Sequence, residues 1–216
     1  MRVTRKGVLI AVEGIDGAGK STQVDLLERR LTSLKPSTTS VLRLKEPTDG
    51  PFGKKIRELA EDGRSSASVM EEFQLFLNDR IEDVKQNIMP ALKRGSIVIM
   101  DRYYFSNIAY QGARGLNIDY IKNENEKIAP VPDILLIIDI PPEIGISRIR
   151  NLRGDTPNAF EDERYLERVR EIFTTLAEEL PYAHLIKGEK PITSVHEEIM
   201  EIVLADLPNL SSSSQS

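Results

Sequence analysis

An apolar run, Val8-Leu9-Ile10-Ala11-Val12, leads through Glu13 into Gly14-Ile15-Asp16-Gly17-Ala18-Gly19-Lys20-Ser21-Thr22, and a helical pattern follows over 20–34. This strand, glycine turn and helix constrain the chain more than any other stretch. The glycines let the backbone turn tightly with successive N–H groups pointing inward, which makes an anion nest. The helix start adds the positive end of its dipole. The spacing is G-x-x-x-x-G-K-[ST], in which Lys20 reaches the β- and γ-phosphates of a nucleoside triphosphate and Ser21 ligates Mg²⁺. The motif implies triphosphate binding. By itself it leaves kinase, GTPase and ATPase open.

The rest of the chain alternates apolar runs with longer amphipathic stretches, the pattern of an α/β fold. Candidate strands are Val8–Val12, Val41–Leu44, Ile97–Met100, Ile134–Asp139 and Ala183–Ile186; helical patterns lie near 20–34, 52–61, 68–93, 117–127, 142–150, 161–180 and 193–205. Ile97-Val98-Ile99-Met100 is continuously apolar, as a strand covered by helices on both faces must be. The expectation is a three-layer P-loop fold with a five-stranded, mainly parallel sheet and a mobile lid. One domain spans 1–210, with the lid near 150–160 and a polar tail at 211–216. In such sheets ligands bind beyond the carboxyl ends of the strands.

A net charge of −5 argues against a general nucleic-acid or anionic-membrane binder. Any substrate phosphate must therefore be held by local cations. There is no cysteine, so disulfide and thiolate chemistry are excluded. No apolar run is long enough for a membrane span, and a cytoplasmic protein is the default.

Candidate cations follow the strands. The third strand ends in Asp101-Arg102-Tyr103. Asp101 is placed like a Walker-B carboxylate acting on Mg²⁺, and Arg102 suits bidentate contact with a phosphate. A strand end capped by a surface ion pair is the alternative. On the 68–93 helix, Phe73, Leu77, Ile81, Val84 and Ile88 form an apolar stripe, and at 100° per residue Arg80 falls among them. A cation there needs a partner. Either Phe73 and Phe76 are core and Arg80 snorkels or pairs with a carboxylate, or Arg80 meets a bound nucleotide with Phe76 stacking on its base. Arg148, Arg150 and Arg153 then lead into a Gly/Pro-containing loop. They suit either a lid closing over phosphates or an exposed basic helix end.

Taken in order, these motifs resemble the thymidylate kinase family, from about Val8 to Val203. They are Glu13–Thr22, Glu46-Pro47-Thr48, Leu75–Arg80, Asp101-Arg102-Tyr103, Ser106–Gln111 and Pro132-Asp133. The resemblance implies ATP and dTMP as substrates, Mg²⁺ as cofactor and a homodimer packed through long helices, for which the 68–93 helix is the candidate. It assigns the residues from Gly14 to Thr22, with Arg148, to ATP. Arg57 and Arg102 hold the dTMP phosphate, and Phe76 stacks on thymine. Arg80 and Asn107 hydrogen-bond the base edge, with Gln111 beside them. Tyr110 lies where a 2′-hydroxyl would project. Asp16 sits near the deoxyribose 3′-hydroxyl and helps place Arg102. Lys20, Arg102, Asp16 and Arg153 form the catalytic set, and Ser21 and Asp101 the metal site. The variable P-loop positions Ile15, Asp16 and Ala18 are not basic, which resembles the family's arrangement with lid arginines. The chain departs from the family at Pro47-Thr48-Asp49-Gly50, where Pro-Gly-Gly-Thr is usual. It departs again at Asn158-Ala159-Phe160-Glu161, where an Asp-Arg-x-Glu lid signature is expected.

Two rivals remain at this level. A kinase of another nucleotide, or of deoxynucleosides, would in the latter case need a carboxylate base, for which Glu13 or Asp16 is available. A non-catalytic nucleotide-binding module is the other, although the guanine-reading Asn-Lys-x-Asp is missing.

Overall fold

The apolar runs become five strands that pair edge to edge in one sheet. The computed structural model describes residues 6–34, 40–62, 67–153 and 163–206, with side chains through Asn151 in the third span. Most of the expected lid, the side chain of Arg153 and the polar tail lie outside the described residues. The strands are β1 (Val8–Glu13), β2 (Val41–Lys45), β3 (Ile97–Asp101), β4 (Ile134–Asp139) and β5 (Ala183–Lys187), in the order β2-β3-β1-β4-β5. Every pairing is parallel, so the expected mainly parallel sheet is parallel throughout.

Parallel pairing forces each connection to cross over the sheet, and helices supply the crossovers. They are α1 (Lys20–Leu34), α2 (Pro51–Glu61), α3 (Val69–Asp83), α4 (Met89–Arg94), α5 (Tyr104–Ala113), α6 (Ile118–Ile128), α7 (Pro142–Arg153), α8 (Glu163–Glu179) and α9 (Ile192–Asp206). On the sheet, α1 lies beside α9, while α5 packs on α8, which also touches β4 and β5. Strands β3 and β4 are buried along nearly their whole lengths, as their unbroken apolar runs require.

Two elements differ from the periodicity reading. The 68–93 helix is divided: α3 passes through a π-helical turn at Val84–Ile88 into α4. Pro90 has no N–H for the regular ladder, and the wider π turn precedes it. A capping box at Ser68 and Glu71 starts α3, and Gly95, at φ 88, ends α4. Helix α5 has no counterpart among the expected helices. Tyr104, Phe105, Asn107, Ile108, Ala109, Tyr110 and Gln111 are all buried, so the helix has no amphipathic stripe to read.

Register aligns the functional ends. Asp101 lies level with Val12 of β1 and Lys45 of β2. The turns after β1, β2 and β3 therefore open on the same edge of the sheet.

Candidate active site

The turn after β1 holds the glycine conformations its sequence predicts, with φ 137 at Gly14, 79 at Gly17 and 93 at Gly19. Gly17 also packs backbone to backbone on α7: a Cβ added there would lie 2.3 Å from the Gly145 carbonyl oxygen. Only glycine permits that approach, and it docks α7 onto the cradle. Lys20 is buried and its Nζ donates to the Ile15 carbonyl at 2.6 Å. Burial, and then the Arg102 charge, hold its pKa down to about 7. A phosphate anion would restore the charge. From α7, Arg148 donates to the Gly17 carbonyl at 3.4 Å and to the Gly188 carbonyl at 3.0 Å, so it borders the cradle. Arg150 is exposed on the same helix.

At the end of β3, Asp101 accepts from Ser21 Oγ at 2.7 Å, which brings the two expected metal ligands together. Arg43 on β2 stands 3.6 Å from the same carboxylate oxygen and also pairs with Asp25. Arg102 follows at φ 70, a left-handed conformation that costs a non-glycine residue free energy. Its Nη2 donates to Asp16 Oδ1 at 2.6 Å and its Nη1 to Ser106 Oγ at 3.1 Å. Burial opposes its charge, but Asp16, Tyr110 and Glu13 outweigh burial and raise its pKa above the ordinary arginine value. The turn is anchored by Glu13, whose carboxylate accepts from Tyr103 N at 2.7 Å, Ser106 N at 3.1 Å and Ser106 Oγ at 2.6 Å. Burial raises the Glu13 pKa. Both of its oxygens are engaged and it does not line the adjoining cavity, which argues against a general-base role. Its signal in the sequence was a carboxylate closing an apolar strand.

Beside the cradle lies a cavity of about 510 Å³. Its wall brings together all eight residues expected at the acceptor site: Asp16, Arg57, Phe76, Arg80, Arg102, Asn107, Tyr110 and Gln111. Asp16 also belongs to the P-loop, so cradle and cavity share a wall. Tyr110 donates to Asp16 Oδ2 at 3.1 Å, and burial raises its pKa so that it stays a phenol. The Arg102 guanidinium lies 5.4 Å from the Tyr110 ring centroid.

The loop that departs from the family pattern adjoins the cavity, with Pro47 in its wall. Thr48 N and Oγ1 donate to the Asp79 carboxylate at 2.8 and 2.6 Å. Arg57 reaches back from α2, with Nη1 donating to the carbonyls of Pro47 at 3.3 Å and Thr48 at 2.9 Å. Its Nη2 pairs with Asp49 at 3.1 Å. Glu46, behind this loop, is buried against Arg80; burial pushes its pKa up to about 8, with Arg80 opposing. Glu46 and Asp79 entered the sequence reading only as members of motifs, with no role assigned, and Asn125 and Gly145 did not enter it. Asn125 had the same signal as Arg80, a polar residue sharing a helix face with Ile121 and Ile128.

Among the described residues, no cluster of three or more histidine and carboxylate groups forms a metal cage. One carboxylate and one hydroxyl at the cradle suit Mg²⁺, which keeps several waters and relies on substrate phosphates. No described helix is long and apolar enough to cross a membrane.

A parallel sheet with β1 central, a phosphate cradle at its carboxyl end and a second, arginine-lined cavity sharing a wall with that cradle define a P-loop kinase of a small anionic acceptor. The family model described as thymidylate kinase matches residues 12–199. A thymidylate kinase of Xanthomonas oryzae pv. oryzae strain PXO99A is 48% identical over 201 residues, covering 93% of this chain and 85% of the relative. A probable thymidylate kinase of Archaeoglobus fulgidus is 45% identical over 196 residues, covering 91% and 94%. The crystal structure of thymidylate kinase from Ehrlichia chaffeensis superposes with a TM-score of 0.75 at 29% identity, covering 91% of this chain and 98% of that one. The chain belongs to the thymidylate kinase family.

Proposed function

We propose that the protein transfers the γ-phosphoryl group of ATP to the 5′-phosphate of dTMP, giving dTDP and ADP. The observation that carries this reading is the cavity beside the cradle, with Arg57 and Arg102 for a phosphate and Phe76, Arg80, Asn107 and Gln111 for a base. An oxygen of the dTMP phosphate attacks the γ-phosphorus in line, and the bond to the β–γ bridging oxygen breaks as ADP leaves. That acceptor oxygen is already ionised, so no strong general base is needed, in keeping with the engaged state of Glu13. Catalysis is positioning and charge neutralisation.

In this reading the P-loop residues Gly14 to Thr22, with Arg148, hold ATP, and Lys20 neutralises its terminal phosphates. Arg102 lies between the two phosphates and is aimed by Asp16 and Ser106. Ser21 and Asp101 would hold Mg²⁺, which would supply neutralisation of the phosphate charge when bound. Arg153 is the lid arginine of the reading. Tyr110, pinned to Asp16, closes the sugar side against a 2′-hydroxyl. Homodimerisation through α3 is part of the proposal, and exposed Met70 and Ile81 on one face of that helix support it. A cytoplasmic location, where ATP and nucleotide pools are available, accompanies it. The chain is read as one domain.

The deciding experiment is ADP release from ATP and Mg²⁺ with dTMP, dUMP, UMP, dCMP and thymidine. Release is expected to be fastest with dTMP and negligible with thymidine. Equal rates for UMP and dTMP would refute the role of Tyr110. No dTMP-dependent release would refute the kinase reading.

A further inference from the structure

Arg80 lies in the base end of the cavity wall, yet its side chain is only 1% exposed. A guanidinium that deep is set by what it is bound to. Its Nη1 donates to Oδ1 of Asn107 on α5, at 2.6 Å, and to Oδ1 of Asn125 on α6. Its Nη2 donates to Glu46 Oε2 at the end of β2. Three acceptors thus come from three elements other than α3. Asn125 is fully buried and absent from the cavity wall; its Nδ2 donates to the Ile121 carbonyl at 2.9 Å, which turns its oxygen toward Arg80. Asn107 is turned in the same way, with Nδ2 donating to Gln111 Oε1 at 3.1 Å.

Both hydrogens of Nη1 and one of Nη2 are thereby used. The N–H groups left over are Nε–H, buried without a partner, and the second hydrogen of Nη2. Unmet donors are costly when buried, and a fixed donor in a cavity wall, here the remaining Nη2 hydrogen, is the arrangement that discriminates between ligands. A thymine edge presents a carbonyl acceptor where cytosine presents an amino donor. A donor-only guanidinium rewards the first and opposes the second, provided it cannot swing away.

We propose that Glu46 and Asn125 are positioning residues for base discrimination: held from β2 and α6, the Arg80 guanidinium keeps one N–H edge directed at the nucleobase. The proposal rests on the reading of Arg80 as a base-facing residue. The plain alternative is a buried cluster that only ties α3 to β2 and α6.

The test compares the full-length wild type with Asn125→Leu, Glu46→Met and Arg80→Met. It measures kcat/KM for dTMP and for dCMP, KM for ATP, and thermal denaturation. Asn125→Leu and Glu46→Met are each expected to lower the dTMP-over-dCMP ratio by about tenfold, the equivalent of one lost hydrogen-bond constraint. The loss is expected in KM for dTMP, with KM for ATP unchanged. Arg80→Met lowers the ratio at least as far, and adding Asn125→Leu to it changes the ratio no further. Asn125→Asp, which keeps an oxygen facing Arg80, retains the wild-type ratio. Where Asn125→Leu does not fold, Asn125→Ser, too short to reach Nη1, is expected to show the same loss. A folded Asn125 variant that lacks the acceptor yet keeps the wild-type ratio overturns the proposal. If Arg80→Met itself keeps that ratio, the reading of Arg80 has failed instead, and the proposal falls with it.

Discussion

Arg102 sits at φ 70, so its backbone and its side chain can be perturbed separately. For an L-residue the left-handed conformation costs roughly 1–2 kcal/mol relative to the right-handed one, and glycine escapes that cost. Glycine also loses about 0.5–1 kcal/mol more chain entropy on folding than alanine. The difference leaves Arg102→Gly roughly 0.5–1 kcal/mol more stable than Arg102→Ala, reversing the usual order of these residues. In a chain of this size that is about 2 °C in Tm. Both variants lose the pairing with Asp16 at 2.6 Å, but Asp16 is partly exposed, so that contact adds at most about 1 kcal/mol. Both are expected to lose about 10³-fold in kcat/KM for dTMP, because neither can neutralise charge between the phosphates. The assays are denaturant unfolding followed by circular dichroism and dTMP-dependent ADP release. Arg102→Ala proving more stable than Arg102→Gly would refute the strain argument. Near-normal turnover by either would refute the catalytic one.

Three further outcomes follow from the site. Free Lys20 titrates near pH 7, whereas ATP phosphates favour its charged form; between the free and bound pKa values the complex holds a proton the free enzyme lacks. MgATP binding at pH 8 is therefore expected to take up a proton, visible by calorimetry in buffers of different ionisation enthalpy, and buffer-independent heats would contradict this. Asp49→Asn removes a carboxylate 3.1 Å from Arg57 that competes with an incoming phosphate; KM for dTMP is expected to fall about threefold with kcat unchanged. A raised KM would show that Asp49 orients Arg57 rather than competing for it. A Cβ at Gly53 would lie 1.8 Å from the Thr48 carbonyl that Arg57 grips, so Gly53→Ala must displace that loop. Steady-state kinetics are expected to show KM for dTMP raised about tenfold or more and KM for ATP unchanged; an unchanged KM for dTMP would remove the loop from the phosphate site.

Some of this molecule could be read from its residues in order, because the information was local. The cradle at Gly14–Ser21 is a run of adjacent residues with glycine at its three positive-φ positions, and β1, β3 and β4 are nearly continuous apolar runs. Arg80 stood out for the same reason, as a cation inside a helical stripe. Helix α5 was hidden because burial on every side erases the period by which an amphipathic helix is recognised. The division of α3 from α4 lay in the hydrogen-bond ladder before Pro90, to which hydrophobic spacing is blind. Residue types and motif order were enough to indicate a phosphate cradle, a parallel α/β sheet and a family resemblance. Only the tertiary structure decided that Glu13 is occupied by the Tyr103–Ser106 turn, and that Glu46, Asn107 and Asn125 meet on one guanidinium. These contacts join residues 27 to 93 positions apart. Sheet order and helix packing create that proximity, and nothing in the local sequence encodes it.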